Sequence, residues 1–204
     1  MRKLFLACVA AAAVVGVGIG VVLHSAFSGG TADAVGLPAL HGQATWAPSV
    51  RPAPQFALRD QRGQLVSLHG LQGRTIVLTF LDSLCKEACP VEGRMLAAAI
   101  RQVPQAQRPR LVVVSVDPSG DTPASIARAV AKWHLPAGTL WLRGTHRRLA
   151  QVWRAYQITV EPVSGDIVHS TALYLIDPRG DERAGFLMPF LPGLVAADLK
   201  TLAA

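Results

Sequence analysis

The run Leu111-Val-Val-Val-Ser-Val116 constrains the fold more than any other stretch of this chain. A strand with one wet face alternates apolar and polar residues, whereas a continuous apolar run suits a strand covered on both sides, as in a sheet packed between helices. The flanks agree. A helical stretch from about Pro90 to Gln102 precedes the run, and Thr122-Pro123 follows it with a cap residue and a first-turn proline, opening a helix that should reach about Trp133. Thr75-Ile-Val-Leu-Thr-Phe80 reads as a second strand, Leu140-Trp-Leu142 as a short third, Thr145 to Tyr156 as a helix, and Thr171-Ala-Leu-Tyr-Leu-Ile176 as a further strand. The turn Asp177-Pro-Arg-Gly180 then returns Arg183 to Leu187 antiparallel, and Leu191 to Leu202 closes as a helix. Upstream, Phe56-Ala-Leu-Arg-Asp60 and Leu65-Val-Ser-Leu68 flank Gln61-Arg-Gly-Gln64 as a hairpin. The expected class is α/β, a mixed sheet flanked by helices.

The first residues follow another logic. From Leu4 to Ala32 there is no Asp, Glu, Lys or Arg, and Leu4 to Leu23 is almost wholly apolar, about the 20 residues that cross a bilayer core. A secretory signal has a shorter apolar region and ends at small residues, which His24-Ser-Ala-Phe-Ser28 matches poorly. Arg2 and Lys3 precede the run, so the positive-inside bias leaves the N-terminus in the cytoplasm and exports the rest. Cys8 reads as a lipid-facing thiol, and Gly16, Gly18 and Gly20 include a spacing at which two such helices pack. The expected partition is a cytoplasmic N-terminus and transmembrane anchor over 1–27, a flexible linker over 28–55 and a folded domain over 56–204. The linker carries Ser28-Gly-Gly30 with Pro38, Pro48, Pro52 and Pro54. Trp46 either docks on the domain or stays half-exposed in the linker.

The formal charge is +7, and 18 basic against 13 acidic residues remain once Arg2 and Lys3 are set aside. Nucleic acid is an unsuitable partner for an exported domain. Basic residues concentrate at Arg143, His146, Arg147 and Arg148, and again at Arg101, Arg108 and Arg110. These are either solvated surface or a means of steering toward an acidic protein face or anionic lipid headgroups.

Two of the three cysteines lie in Cys85-Lys-Glu-Ala-Cys89-Pro90, just after a strand. In helical geometry a spacing of four places the Cα atoms about 6 Å apart, within reach of a disulfide. Spacing alone therefore allows a stapling pair, a cycling dithiol or a soft-metal site, and an exported compartment tolerates all three. A helix starting near Pro90 would aim its amides at Cys89 and favour that thiolate. Among six histidines, His169 stands out in Val168-His-Ser-Thr-Ala172, immediately before a buried-looking strand. An ordinary strand-edge histidine is the alternative.

Four segments in order carry a resemblance. They are Phe56-Ala-Leu-Arg-Asp-Gln-Arg-Gly63, Cys85 to Pro90, Val114-Ser-Val-Asp-Pro-Ser-Gly-Asp-Thr-Pro123, and His169-Ser170 followed by Tyr174-Leu-Ile-Asp-Pro-Arg-Gly180. From Phe56 onward the chain resembles the Sco/SenC copper proteins that assist cytochrome c oxidase assembly. The resemblance implies a thioredoxin-like fold, an anchored and exported domain on the periplasmic side of the inner membrane, and one copper ion, Cu(I) or Cu(II). It implies that Cys85, Cys89 and His169 converge on that ion and that Cys85 and Cys89 can form a redox disulfide. Asp117 and Asp121 match acidic positions of the family. Asp117 is expected beside the cysteine loop, supporting the ligands from behind or meeting a partner, unless it serves only its own turn; Asp121 reads as turn chemistry leading into a helix. The chain departs from the family pattern at Leu81-Asp-Ser-Leu84 and Lys86-Glu-Ala88, the rim of the site. The implied function is a copper chaperone that serves the dinuclear copper site of cytochrome c oxidase subunit II and is itself supplied by a copper donor or a thiol reductant. The rival is an exported thiol-disulfide oxidoreductase acting on the same recipient, although such reductants usually have two residues between their cysteines, against three here.

Overall fold

Along the apolar run, Leu111 and Val113 pack to one side of the sheet while Val112, Val114 and Val116 pack to the other, all at most 2% exposed. The computed structural model describes residues 39–163 and 166–203. The run forms β5 (Arg110–Ser115), an interior strand one place from the edge of a six-stranded mixed sheet. Its neighbours β4 (Ile76–Leu81) and β6 (Leu140–Leu142) are both parallel to it, with Val77 opposite Leu111 and Trp141 opposite Val113. On the other side of β4, β9 (Ala172–Ile176) runs antiparallel, and β10 (Glu182–Leu187) pairs antiparallel with β9 through the turn at Asp177. Gly180 has φ +95° there, a left-handed conformation that suits glycine.

Helices α1 (Ala88–Arg101), α2 (Pro123–Lys132) and α4 (Pro192–Leu202) contribute to a core that contains Leu96, Ile126, Trp133, Trp141 and Leu199. Gly93 lets α1 lie close on Trp133, since a Cβ there would come within 2.9 Å of the indole. The opposite face is covered by α3 (His146–Ala155) and by the hairpin β2 (Ala57–Arg59) and β3 (Leu65–Ser67), which close over Phe80 and Tyr156. Each fully buried large side chain in these layers contributes about 1.5–3 kcal/mol of transfer free energy.

Two elements differ from expectation. The folded unit begins at Leu40, not Phe56: β1 (Ala44–Thr45) pairs antiparallel with β10, and Trp46 docks. The Trp46 amide donates to Arg183 O at 3.0 Å, Arg183 Nε donates to Trp46 O at 3.0 Å, and the Arg51 guanidinium lies 4.4 Å over the indole. Arg51 also pairs with the buried Glu182 carboxylate. Without this arm β10 would leave its outer backbone groups unpaired at a sheet edge. The second difference is a small hairpin, β7 (Val160–Val163) and β8 (Asp166–His169), that ends on His169. Its mostly exposed strands have no apolar period to betray them. The expected membrane anchor over Leu4–Leu23 lies outside the described residues; among the described residues no helix is long and apolar enough to cross a membrane.

Candidate metal and thiol site

β4 delivers the chain into the loop that carries Cys85, and α1 begins at Ala88, so Cys89 lies inside the first turn of the helix. Sequence reasoning started this helix near Pro90 and aimed its amides at Cys89. Instead the Cys89 amide donates to Cys85 Sγ at 3.4 Å, and the electrostatic benefit of the helix end passes to Cys85. Both cysteines are free thiols, Cys85 half-buried and Cys89 only 1% exposed. The hydrogen bond from the Cys89 thiol, helped by backbone amides, lowers the Cys85 thiol to about 5 against the cost of its burial. Cys89 is pushed well up, first by that same hydrogen bond and then by burial. The pair is thus one accessible thiolate backed by one buried thiol.

His169 reaches the pair from 80 residues away, its Nε2 lying 3.6 Å from Cys89 Sγ. Its Nδ1 is 3.0 Å from the Ser170 carbonyl oxygen. A carbonyl only accepts, so Nδ1 carries a proton, and in the neutral ring it is the Nε2 lone pair that faces the sulfur. Among the described residues no three histidine, cysteine, aspartate or glutamate side chains are yet gathered tightly enough to hold an ion. Cys89 faces both other groups, but it shares its proton with Cys85.

The cysteine loop is pinned from below. Asp82 Oδ1 accepts the Leu84 amide at 2.7 Å and its carbonyl accepts the Cys85 amide at 3.3 Å; burial pushes its carboxyl up to about 6. Asp121, fully buried, does more than the turn chemistry expected of it. Its Oδ1 accepts the Ser83 amide at 2.8 Å and its Oδ2 accepts Trp141 Nε1–H at 3.0 Å, tying the loop to β6. Asp117 folds over its own turn, where Oδ1 accepts the amides of Ser119 and Gly120 at 3.0 and 2.8 Å. It also lines a cleft of about 490 Å³ with Asp82, Leu84, Lys86, Asp166 and Ile167. Leu84, in the segment that departs from the family pattern, is 50% exposed at this rim.

Sequence reasoning overlooked Glu92, which is 1% exposed on the inner face of α1. Its Oε1 accepts the Thr79 hydroxyl at 2.5 Å, and its Oε2 has no partner among the described residues. A carboxylate two residues after a first-turn proline, on the helix face that carries Cys89 and Leu96, was the available signal. Burial pushes its carboxyl from an ordinary 4.5 up to about 7, the Thr79 hydroxyl holding it down only in part. The folded chain therefore binds this proton more tightly than the unfolded chain. The stability so conferred is complete below the unfolded value and is lost as pH rises through about 7. Glu92→Gln, compared with its parent by urea denaturation, is expected to gain about 3 kcal/mol of relative stability between about pH 4 and about pH 8. Parallel pH profiles would remove Glu92 from this role.

A dithiol at the mouth of a strand-loop-helix unit, met by an imidazole from a hairpin, places the chain among thioredoxin-like α/β domains that handle thiols or soft metals. The SCO1/SenC family model matches residues 47–204, and the chain belongs to that family. It is 32% identical over 134 residues to the mitochondrial SCO2 homolog of Bos taurus, covering 61% of this chain and 50% of the relative. It is also 32% identical over 131 residues to the mitochondrial SCO1 homolog 1 of Arabidopsis thaliana, 61% of this chain and 39% of the relative. The chain thus spans about half or less of the length of these curated relatives. Among solved structures, ScoI of Bradyrhizobium japonicum with copper bound is 27% identical with a TM-score of 0.64, over 74% of this chain and 99% of that one. A SCO1/SenC family lipoprotein of Bacillus anthracis has a TM-score of 0.69 at 23% identity, over 79% and 100%, a likeness of fold.

Proposed function

We propose that the chain is a membrane-anchored copper chaperone that binds one copper ion through Cys85, Cys89 and His169 and passes it to the dinuclear copper site of cytochrome c oxidase subunit II during assembly. The observation that carries this reading is His169 Nε2 facing Cys89 Sγ at 3.6 Å while Nδ1–H is held by the Ser170 carbonyl. Disulfide exchange has no use for an imidazole fixed in that tautomer, whereas a metal ligand is usually oriented in this way. ScoI proteins of Bradyrhizobium japonicum and Arabidopsis thaliana are solved with copper bound, and another structural relative is described as a member of the Sco family of cytochrome c oxidase assembly proteins. Thiolates suit Cu(I), and imidazole suits copper in either oxidation state. Three donors leave room for a ligand of the recipient, so copper leaves by stepwise exchange. Asp117 spends Oδ1 on its own turn and faces the cysteine loop only across the cleft they share, where it can meet a partner, and the Leu4–Leu23 segment tethers the domain on the exported face of the inner membrane.

The asymmetry of the thiols favours a second reading, a thiol-disulfide oxidoreductase. The Cys85 thiolate attacks a recipient disulfide and one recipient sulfur leaves as thiolate. Cys89 then gives up its proton and attacks Cys85 in the mixed disulfide, which releases the second recipient thiolate and leaves Cys85 joined to Cys89. The two readings separate by experiment. The reduced chain, titrated with Cu(I) against a competing chelator, is expected to bind one equivalent, and the oxidised chain none. A strain lacking the chain is expected to lose oxidase assembly and to regain it when external copper is raised. Equal copper binding by both redox forms would overturn the chaperone reading.

A further inference from the structure

A second cavity, of about 650 Å³, touches the Asp117–Ser119 turn through Pro118 and is lined by Arg59, Arg143 and Arg148 together with Asp60, Gly144 and Thr145. Two of these arginines are cross-strand partners. Arg59 and Arg143 form an isolated antiparallel bridge in which the Arg143 amide donates to Arg59 O at 2.7 Å and the Arg59 amide donates to Arg143 O at 3.3 Å. Residues that exchange both backbone hydrogen bonds stand directly opposite each other, with side chains on the same face of the ladder. Like charges in that position oppose folding. Arg148 lines the same cavity from the first turn of α3 and adds a third positive charge to its wall.

Among the described residues these arginines lack an ion-pair partner: the ion pairs are His41–Asp198, Arg51–Glu182 and Arg183–Asp177. Asp60, which also lines the cavity, spends Oδ1 on the amides of Arg62 and Gln64 at 2.9 Å in the β2–β3 turn. Arg59 Nη1 donates to Gly63 O at 2.7 Å, leaving the rest of its donor fork unused. Three arginines lining one concavity carry more donors than a single carboxylate can take up. A tetrahedral oxyanion, with oxygens pointing several ways, can meet all three.

We propose that this cavity is a binding site for a phosphate group, carried either by a phospholipid headgroup or by a soluble phosphate. The inference is independent of copper, since none of the three arginines belongs to the thiol site. The anion offsets the repulsion between Arg59 and Arg143. If a headgroup supplies it, the Asp117 turn and the neighbouring cysteine cleft are held beside the membrane surface.

The test follows thermal unfolding of the full chain by circular dichroism in neutral maltoside micelles, which contain no phosphate. One arm replaces chloride by inorganic phosphate at constant ionic strength, and the other adds phosphatidylglycerol to the micelles. A rise in the midpoint of roughly 2–4 °C is expected from ligand linkage in at least one arm. A rise with inorganic phosphate identifies a soluble ligand, and a rise with phosphatidylglycerol alone identifies a headgroup; either supports the site. Arg143→Gln is expected to raise the midpoint in chloride, because one of two opposed charges is gone, and to lose the ligand-induced rise. Arg148→Gln, which lies outside the bridge, is expected to lose that rise as well and serves if Arg143→Gln does not fold. No rise in either arm, or an undiminished rise in the variants, overturns the proposal.

Discussion

Cys85→Ser in the reduced chain is expected to weaken Cu(I) binding by about a thousandfold. Structural zinc sites built from thiolates and imidazoles bind with apparent free energies on the order of 12 kcal/mol, which sets the scale for a Cu(I) site of the same donors. Three donors sharing such a value contribute about 4 kcal/mol each, close to three decades in affinity. Cys85 is the donor that needs least deprotonation work, because it already receives the Cys89 amide and thiol hydrogen bonds. Cys89→Ser is expected to cost a similar amount, and Cys89→Ala also removes the hydrogen bond that lowers Cys85, so the accessible thiol should titrate closer to its ordinary value. His169→Ala is the discriminating variant. It removes the imidazole that faces Cys89 but leaves both thiols, so copper affinity should drop while reduction of a model disulfide continues. Competition against a Cu(I) chelator measures the first quantity and mixed-disulfide turnover the second. An unchanged copper affinity on losing His169, with rapid disulfide reduction, would hand the site to the oxidoreductase reading.

The second large effect is expected far from the sulfur atoms. Asp121→Ala strips the acceptor from the Ser83 amide and from Trp141 Nε1–H, one partly buried and one buried. Leaving two such donors unpaired should cost about 3 kcal/mol, a fall of roughly 6–12 °C in the midpoint for a chain of this size. Asp121→Asn keeps one acceptor oxygen and should lose about half as much. Because Ser83 sits two residues before Cys85, copper affinity is expected to fall in the same order, Ala below Asn below the parent. A midpoint shift of under a degree in the alanine variant would reduce Asp121 to a turn residue.

Much of the architecture was legible because it is local. The apolar run at Leu111–Val116, the Thr122-Pro123 cap and the Asp177–Gly180 turn depend on contacts within a few residues, and β5, α2 and the β9–β10 return occur where these signals fall. The hairpin of Val160–Val163 and Asp166–His169 was not legible, since an exposed pair of strands buries too little to leave a period in the sequence. The β1 arm was hidden for a related reason. Only Ala44 and Thr45 enter the ladder, amid prolines and polar residues that read as tether, and the unpaired edge of β10 is what draws them in.

The sequence by itself determined the residue types that can hold copper, their order along the chain, and an α/β sheet on which to mount them, because donor chemistry and hydrophobic period are written residue by residue. Tertiary structure alone decided how those residues are used. It turned the first-turn amide of α1 toward Cys85 instead of Cys89, and it brought His169 across 80 residues to face the buried thiol with one nitrogen already committed. It also turned Asp121 from a presumed turn residue into the anchor of the cysteine loop. The physical reason is that a hydrogen bond or a metal ligand acts over a few ångströms, and which atoms come within that reach is set by strand register and helix start.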